Sequence, residues 1–280
     1  MALTVNAVTV NNVGHINGVH RYDGSGSSWT KIQGPVTVTG TFGGGWGLIT
    51  GSANADTADQ AFSYNGSPFD WQFLSVHGAL FAITDDTAYK TAADGSAVFQ
   101  FDGFGDDDSP IWSKIGDSAF DLVGGRFGLI ARMPNSASSG HTFLYTGNPG
   151  EWQQIGPMGS AYAVSSDTVY RMNGGTAFQY DGVGSSWTEI GSPNGGTGNL
   201  YAGGFGLFTT TLSASGLFRY GGNPGAWERV GDFSLSCAVT DDTVYRVGSN
   251  GSVFQYDGSG MSWTNIGRPD RVVRIVAAGE

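Results

Sequence analysis

Three aromatic residues lie in glycine-rich turns of the sequence, where an apolar side chain has little reason to be. The segments are Gly45-Trp46-Gly47, Arg126-Phe127-Gly128 and Gly204-Phe205-Gly206. An aromatic ring with a free face can stack against the apolar C–H face of a cyclic ligand such as a sugar. The same ring could instead pack under a neighbouring structural element, and the sequence leaves both interpretations open.

Acidic residues occupy the equivalent turns elsewhere in the chain. These turns contain Asp85-Asp86, Ser166-Asp167 and Asp241-Asp242. A carboxylate beside an aromatic ring can accept hydrogen bonds from the hydroxyls of a bound sugar. We therefore predict six ligand-binding residues: Trp46, Phe127, Phe205, Asp86, Asp167 and Asp242.

Carboxylates in turns could also coordinate Ca²⁺, and the run Asp106-Asp107-Asp108 is the strongest candidate for a cation site. However, Asp is favoured in turns for a simpler reason, because its side chain bonds nearby backbone N–H groups. We therefore expect no metal site, and we expect the acidic run to be a solvated loop.

No arrangement of residues resembles a catalytic centre. The sequence has no G-x-S-x-G, no phosphate-binding loop and no H-E-x-x-H, and its histidines lack the spacing of metal ligands. Cys237 is the only cysteine, which excludes an intramolecular disulfide. We expect a protein that is not an enzyme and needs no cofactor.

The elements that would position these turns come from a sequence block that occurs seven times. Each block reads aromatic-x-aromatic, a glycine turn, then Trp, two residues and an aliphatic, as from Phe178 to Ile190. Alternation followed by a turn predicts a β-hairpin. The repeat tryptophans, which either stack on sugars or pack between repeats, are Trp29, Trp71, Trp112, Trp152, Trp187, Trp227 and Trp263.

Two further short strands separate successive hairpins, and four strands in about 40 residues is the unit of a propeller blade. We predict an all-β, seven-bladed β-propeller in one domain, 1–280, whose chain termini close the ring. The repeat blocks end near residues 34, 75, 116, 156, 191, 231 and 267, and 268–280 is a closing strand. Two segments compete for the inner strand of the first blade: Leu3-Thr4-Val5, by alignment with Tyr162-Ala163-Val164, and the run from Val272 to Ala277. They could also pair with each other.

Charge and hydropathy exclude several classes of partner. The formal net charge of −11 disfavours nucleic acid and anionic membrane surfaces. No run of 18 apolar residues is present, and the first ten residues lack the pattern of a secretory signal. We expect a soluble chain without membrane insertion, either cytoplasmic or exported by another route, and self-association into a homo-oligomer stays open.

The block W-x-x-I-G, with the strands that follow it, resembles tectonin repeats and, more loosely, tachylectin-2-like propeller lectins. The likeness is best in Trp187-Thr188-Glu189-Ile190-Gly191, Gly206-Leu207-Phe208 and Leu217-Phe218-Arg219-Tyr220. The resemblance implies binding of glycans on cell surfaces at several equivalent sites. Our leading hypothesis is a lectin for neutral or methylated sugars. The alternatives are a protein-interaction scaffold and, less favoured, a hydrolase or lyase.

Overall fold

A computed structural model describes residues 2–10, 16–33, 38–52, 60–76, 78–134, 140–194, 196–211, 213 and 216–279. In this part of the chain, 28 strands form seven four-stranded antiparallel sheets, which are arranged as the blades of a ring. The predicted seven-bladed β-propeller is therefore confirmed. The repeat boundary near residue 34 lies outside the described residues. The described part contains no helix that is long and apolar enough to cross a membrane.

The blades are numbered by their order around the ring, and their strands are given from the central channel outward. Blade 1 comprises β28 (Arg271–Ala278), β1 (Thr4–Val10), β2 (Ile16–Tyr22) and β3 (Trp29–Gln33). Blade 2 comprises β4 (Val38–Gly44), β5 (Gly47–Ser52), β6 (Gln60–Tyr64) and β7 (Trp71–Val76). Blade 3 comprises β8 (Gly78–Ile83), β9 (Ala88–Ala92), β10 (Ala97–Phe104) and β11 (Pro110–Asp117).

The remaining four blades follow in chain order. Blade 4 comprises β12 (Asp121–Gly125), β13 (Gly128–Met133), β14 (His141–Tyr145) and β15 (Trp152–Pro157). Blade 5 comprises β16 (Ala161–Val164), β17 (Val169–Asn173), β18 (Thr176–Tyr180) and β19 (Trp187–Gly191). Blade 6 comprises β20 (Thr197–Gly203), β21 (Gly206–Thr211), β22 (Leu217–Tyr220) and β23 (Trp227–Gly231). Blade 7 comprises β24 (Cys237–Val239), β25 (Val244–Val247), β26 (Val253–Tyr256) and β27 (Trp263–Asn265).

The two ends of the chain close the ring by pairing with each other. The C-terminal strand β28 is the inner strand of blade 1, and β1 lies beside it in antiparallel register, with Val5 opposite Ala277. The placement of Leu3-Thr4-Val5 as an inner strand is therefore wrong, whereas that of Val272 to Ala277 is right. Because β28 already fills the innermost position, β1 takes the second position and is paired on both sides, by β28 and by β2, while β28 forms the inner edge of the sheet.

The repeat tryptophans join each blade to the one before it. Every indole N–H donates to the backbone carbonyl of the aliphatic residue that ends the preceding W-x-x-I motif, at N···O distances of 2.5 to 3.0 Å. The last contact, from Trp29 to Ile266, joins blade 1 to blade 7. The accepting aliphatic residues are almost completely buried: Ile32, Leu74, Ile115, Ile155, Ile190, Val230 and Ile266. The indole bonds therefore support the packing interpretation of the repeat tryptophans, whose rings are half-buried.

Candidate functional site

The inner strands of the blades surround a central cavity of about 530 Å³. Its walls are formed by close backbone approaches. A Cβ atom on Gly124, for example, would lie 2.4 Å from the carbonyl oxygen of Ile83. The turns between inner and second strands encircle one end of the channel, which we call the turn face. The connections from each outer strand to the next inner strand encircle the other end, which we call the linker face.

On the turn face, each aromatic turn is bonded to the acidic turn of the following blade. The backbone N–H of Trp46 donates to the carbonyl of Thr84 at 2.9 Å. Phe127 and Phe205 make the equivalent bonds, to Ser165 at 3.0 Å and to Thr240 at 2.9 Å. The structure therefore joins the turns that carry the six predicted site residues as three turn pairs: the turn of Trp46 with that of Asp86, the turn of Phe127 with that of Asp167, and the turn of Phe205 with that of Asp242. These bonds join main-chain atoms, and the carboxylates that lie against Gly45 and Gly204 are those of Asp85 and Asp241.

The aromatic members of these pairs are half-buried, because each ring also packs edge-on against an aromatic residue of the next blade. The ring centroid of Trp46 lies 5.4 Å from that of Phe101. Phe127 lies 6.4 Å from Tyr180 and Phe205 lies 6.2 Å from Tyr256. Both interpretations of the turn aromatics therefore have a physical basis: each ring contributes to the contact between blades and retains exposed surface.

The acidic members are exposed, and other side chains hold their turns in place. In blade 3, the Thr84 hydroxyl donates to the carbonyl of Thr87 at 3.2 Å, and the Thr87 hydroxyl donates to the carbonyl of Phe101 at 2.6 Å. The same bonds recur in blades 5 and 7. Because these hydroxyls fix the turns, the carboxylates of Asp86, Asp167 and Asp242 are left to face solvent.

Arg126 bridges the mouth of the channel on the turn face, a role that the sequence did not reveal. Its Nε lies 3.2 Å from Oδ2 of Asp85, and its Nη1 lies 3.8 Å from Oδ1 of Asp241. Gly45 and Gly204 occupy the position of Arg126 in the other two aromatic turns. A Cβ atom on Gly45 would lie 2.3 Å from Oδ1 of Asp85, and one on Gly204 would lie 2.3 Å from Oδ1 of Asp241. The only sequence signal was that one turn carries Arg where its counterparts carry Gly.

Tyr201 and Arg274 line the channel interior, and sequence reasoning also missed them. Burial lowers the pKa of the Arg274 guanidinium, and burial is the main cause that raises the pKa of the Tyr201 phenol. The guanidinium carbon of Arg274 lies 6.0 Å from the centre of the Phe42 ring. In three other blades an alanine takes the place of Tyr201: Ala82, Ala163 and Ala238.

The other candidate groups have local structural roles. The exposed carboxylate of Asp107 accepts bonds from the backbone N–H and the hydroxyl of Ser109, which holds the acidic loop. Among the residues that the structure describes, no group of three or more His, Cys, Asp or Glu side chains could hold a metal ion. Cys237 is buried, and burial raises the pKa of its thiol to about 12.

Comparison of the sequence with protein-family models and with curated proteins gives no match. Solved structures match over almost the whole chain. The β-propeller domain of the Trilobed protease from Pyrococcus furiosus has a TM-score of 0.67 at 12% identity, covering 95% of this chain and 94% of that one. A putative 6-phosphogluconolactonase from Bacteroides fragilis has a TM-score of 0.61 at 15% identity, covering 99% and 98%. The protein YCF48 bound to D1 peptide has a TM-score of 0.57 at 12% identity, covering 82% of each chain.

These likenesses show the propeller fold alone, because the identities are low and the matched proteins have varied functions. The resemblance to tectonin-type lectins is not confirmed by them, and it stays a prediction from the sequence.

Proposed function

We propose that this protein is a non-catalytic, carbohydrate-binding propeller whose sites are the three turn pairs of the turn face. The observation that carries the proposal is the threefold repetition of one arrangement. An aromatic turn residue is bonded through its backbone N–H to the turn that presents an exposed aspartate, at 2.9, 3.0 and 2.9 Å. A structural contact between blades does not require an acidic residue at the exposed position of all three turns.

The chemistry of each pair suits a neutral sugar. The half-buried ring of Trp46 or Phe127 offers an apolar surface for the C–H face of a pyranose. The ring of Phe205 offers less, because the Arg219 guanidinium carbon lies 4.4 Å from its centre and the Phe208 ring stacks against it at 6.0 Å. The exposed aspartate of the bonded turn would accept hydrogen bonds from the sugar hydroxyls, and these charge-assisted bonds are stronger than neutral ones. The same carboxylates, together with the net charge of −11, disfavour sialylated or sulfated ligands.

Three sites on one face of a rigid ring favour ligands that repeat. Each site is small and open, so its affinity for a monosaccharide is expected to be weak. Simultaneous occupation by glycans on a cell surface would raise the apparent affinity by a factor of roughly 10² to 10⁴ without new contacts. We therefore propose surface glycans as the partners.

A glycan array on the purified protein identifies the sugar, and isothermal titration calorimetry then locates the sites. We expect Asp86→Ala to weaken binding at one site by roughly 10- to 100-fold, the cost of about 1.5–3 kcal/mol for a hydrogen bond to a charged group. The triple variant with Asp167→Ala and Asp242→Ala should lose binding. Asp117→Ala is the matched control, because Asp117 is an exposed aspartate on the outer strand β11. If no neutral sugar binds at millimolar concentration, the proposal fails.

A protein-interaction scaffold is the second candidate, and one observation favours it. Large apolar side chains are exposed in the connections on the linker face: Phe120, Met158, Phe233 and Leu235. A contiguous exposed apolar patch is typical of faces that contact other proteins, and these four residues share one face of the ring. Under this alternative, serine substitutions at these four positions would abolish partner binding, and the alanine substitutions on the turn face would have no effect.

A further inference from the structure

The two arginines of the central channel differ in their counter-charges. Arg126, on the turn face, lies within 4 Å of the carboxylates of Asp85 and Asp241. Arg274 projects from the inner strand β28 and lines both the cavity and its opening on the linker face. Within the described part of the chain, no carboxylate forms an ion pair with Arg274. The channel therefore contains one guanidinium whose positive charge is not balanced locally.

This imbalance points to a ligand. Arg274 is exposed to the channel, and its surroundings remove enough water to lower the pKa of its guanidinium. A guanidinium that faces a cavity and has no ion-pair partner can form charge-assisted hydrogen bonds with an anion. We propose that the channel binds a small organic anion, whose carboxylate or phosphate group lies against the Arg274 guanidinium and the Tyr201 hydroxyl.

Tyr201 supplies the second donor. Its side chain comes from β20 of blade 6, and it lines the same cavity as Arg274 of blade 1. A tyrosine phenol keeps its proton at neutral pH, and burial raises the pKa of Tyr201 further, so its hydroxyl can donate to an anion. The positive charge of Arg274 favours the phenolate and therefore opposes this increase, but burial is the larger effect. The pair thus offers one charged and one neutral donor.

The shape of the channel gives the direction of entry. On the turn face, Arg126 spans the mouth between Asp85 and Asp241. On the linker face, an opening of about 440 Å³ leads directly to Tyr201 and Arg274. The cavity volume of about 530 Å³ lies within the range of roughly 300–1,000 Å³ that small-molecule sites occupy. The ligand would therefore enter from the linker face, with its anionic group leading.

This site lies at the linker-face end of the cavity, whereas Trp46 of one turn pair lines the turn-face end, and it does not rest on the sugar-binding proposal. Its test is calorimetry with inorganic phosphate, acetate and glucuronate as probes and with glucose as the neutral comparison. We expect at least one anion to bind and glucose not to bind at Arg274. Comparison of phosphate with acetate and glucuronate shows whether the site prefers a phosphate or a carboxylate group. Arg274→Gln should lower the affinity for the anion by roughly 10- to 100-fold, which corresponds to the loss of a charge-assisted hydrogen bond.

The matched control is Arg229→Gln, which removes an exposed arginine that pairs with Asp232 on the outer edge of a blade. It should leave anion binding unchanged. Absence of binding by all three anions overturns the proposal, as does equal binding by Arg274→Gln. Turn-face sugar binding should survive in Arg274→Gln, so failure of one proposal is distinguishable from failure of the other.

A measurement on the unsubstituted protein tests the site even if the Arg274→Gln variant does not fold. The Nε–H resonance of Arg274, assigned by its absence from the spectrum of Arg274→Lys, should move during the anion titration. Binding that leaves this resonance in place would contradict the assignment of the site.

Discussion

Gly116, the residue that follows Ile115 in the motif of blade 3, lies directly under the tryptophan of the next blade. A Cβ atom added at this position would be 2.8 Å from Nε1 of Trp152 and 3.2 Å from its Cε2 and Cζ2. Ordinary contacts between non-bonded carbon atoms are about 3.5–4.0 Å. We therefore predict that Gly116→Ala displaces the indole and disturbs its 2.9 Å hydrogen bond to the carbonyl of Ile115.

The expected cost follows from two contributions. Overpacking a close contact costs about 1–3 kcal/mol. The disturbed hydrogen bond adds about 0.5–1.5 kcal/mol, and we expect its cost to lie near the lower end of this range. The reason is that the Ile115 carbonyl keeps a second donor, the backbone N–H of Gly150 at 2.9 Å. We expect the free energy of unfolding to fall by about 2–3 kcal/mol.

Urea denaturation followed by tryptophan fluorescence measures this loss. Gly231→Ala is the matched control, because the equivalent Cβ there would lie 3.1 Å from Nε1 of Trp263 and should cost only ~1 kcal/mol. Trp152→Phe removes the atoms that the new methyl group meets. The double variant should therefore be more stable than the sum of the single effects, by roughly 1–2 kcal/mol. A cost of less than about 0.5 kcal/mol for Gly116→Ala, or strict additivity, would refute the reasoning.

Three further outcomes are expected. Cys237 should resist alkylation in the folded protein and react on unfolding, because burial raises its thiol pKa to about 12; rapid labelling under native conditions would show an exposed thiol. Hydrogen bonds from Ser262 and Thr264 lower the pKa of the Asp257 carboxyl in the folded protein. These bonds therefore stabilise the fold at any pH above the pKa of the unfolded carboxyl, and this stabilisation is lost as the pH falls through the pKa of the folded carboxyl. Ser262→Ala should accordingly raise the Asp257 pKa measured by NMR and lower stability at neutral pH but not in strong acid; an unchanged pKa would contradict the assigned bonds. Removal of 271–280 should destabilise the whole ring, since it leaves β1 with a free edge, and a thermal unfolding midpoint equal to that of the full chain would show that β28 is dispensable.

The fold could be predicted because its determinants recur. Each W-x-x-I block combines a strand pattern, a turn and a large apolar residue, and seven copies in about 40-residue steps specify a ring of blades. Closure of the ring was harder to predict, because β1 and β28 both have the alternation of strands. Only their mutual pairing shows which of them faces the channel.

The candidate site residues differ in the same way: those that recur between repeats could be predicted, and those that occur once could not. Trp46, Phe127 and Phe205 were identified because their turns repeat, and the structure pairs each with the expected acidic turn. Arg126 and Arg274 were not identified, since each occurs at its position only once. Their partners come from blades that are distant in sequence, so pattern reasoning within one repeat could not bring them together.

Amide chemical-shift mapping during titration with a neutral sugar from the glycan array tests the proposed sugar sites most directly. We expect the backbone amides of Trp46, Phe127 and Phe205, which hold the three turn pairs together, to shift in parallel as the sugar is added. Titration of an array-positive sugar that leaves these amides unmoved, or that moves only residues at the outer hairpin tips such as Val183 and Met261, would contradict it.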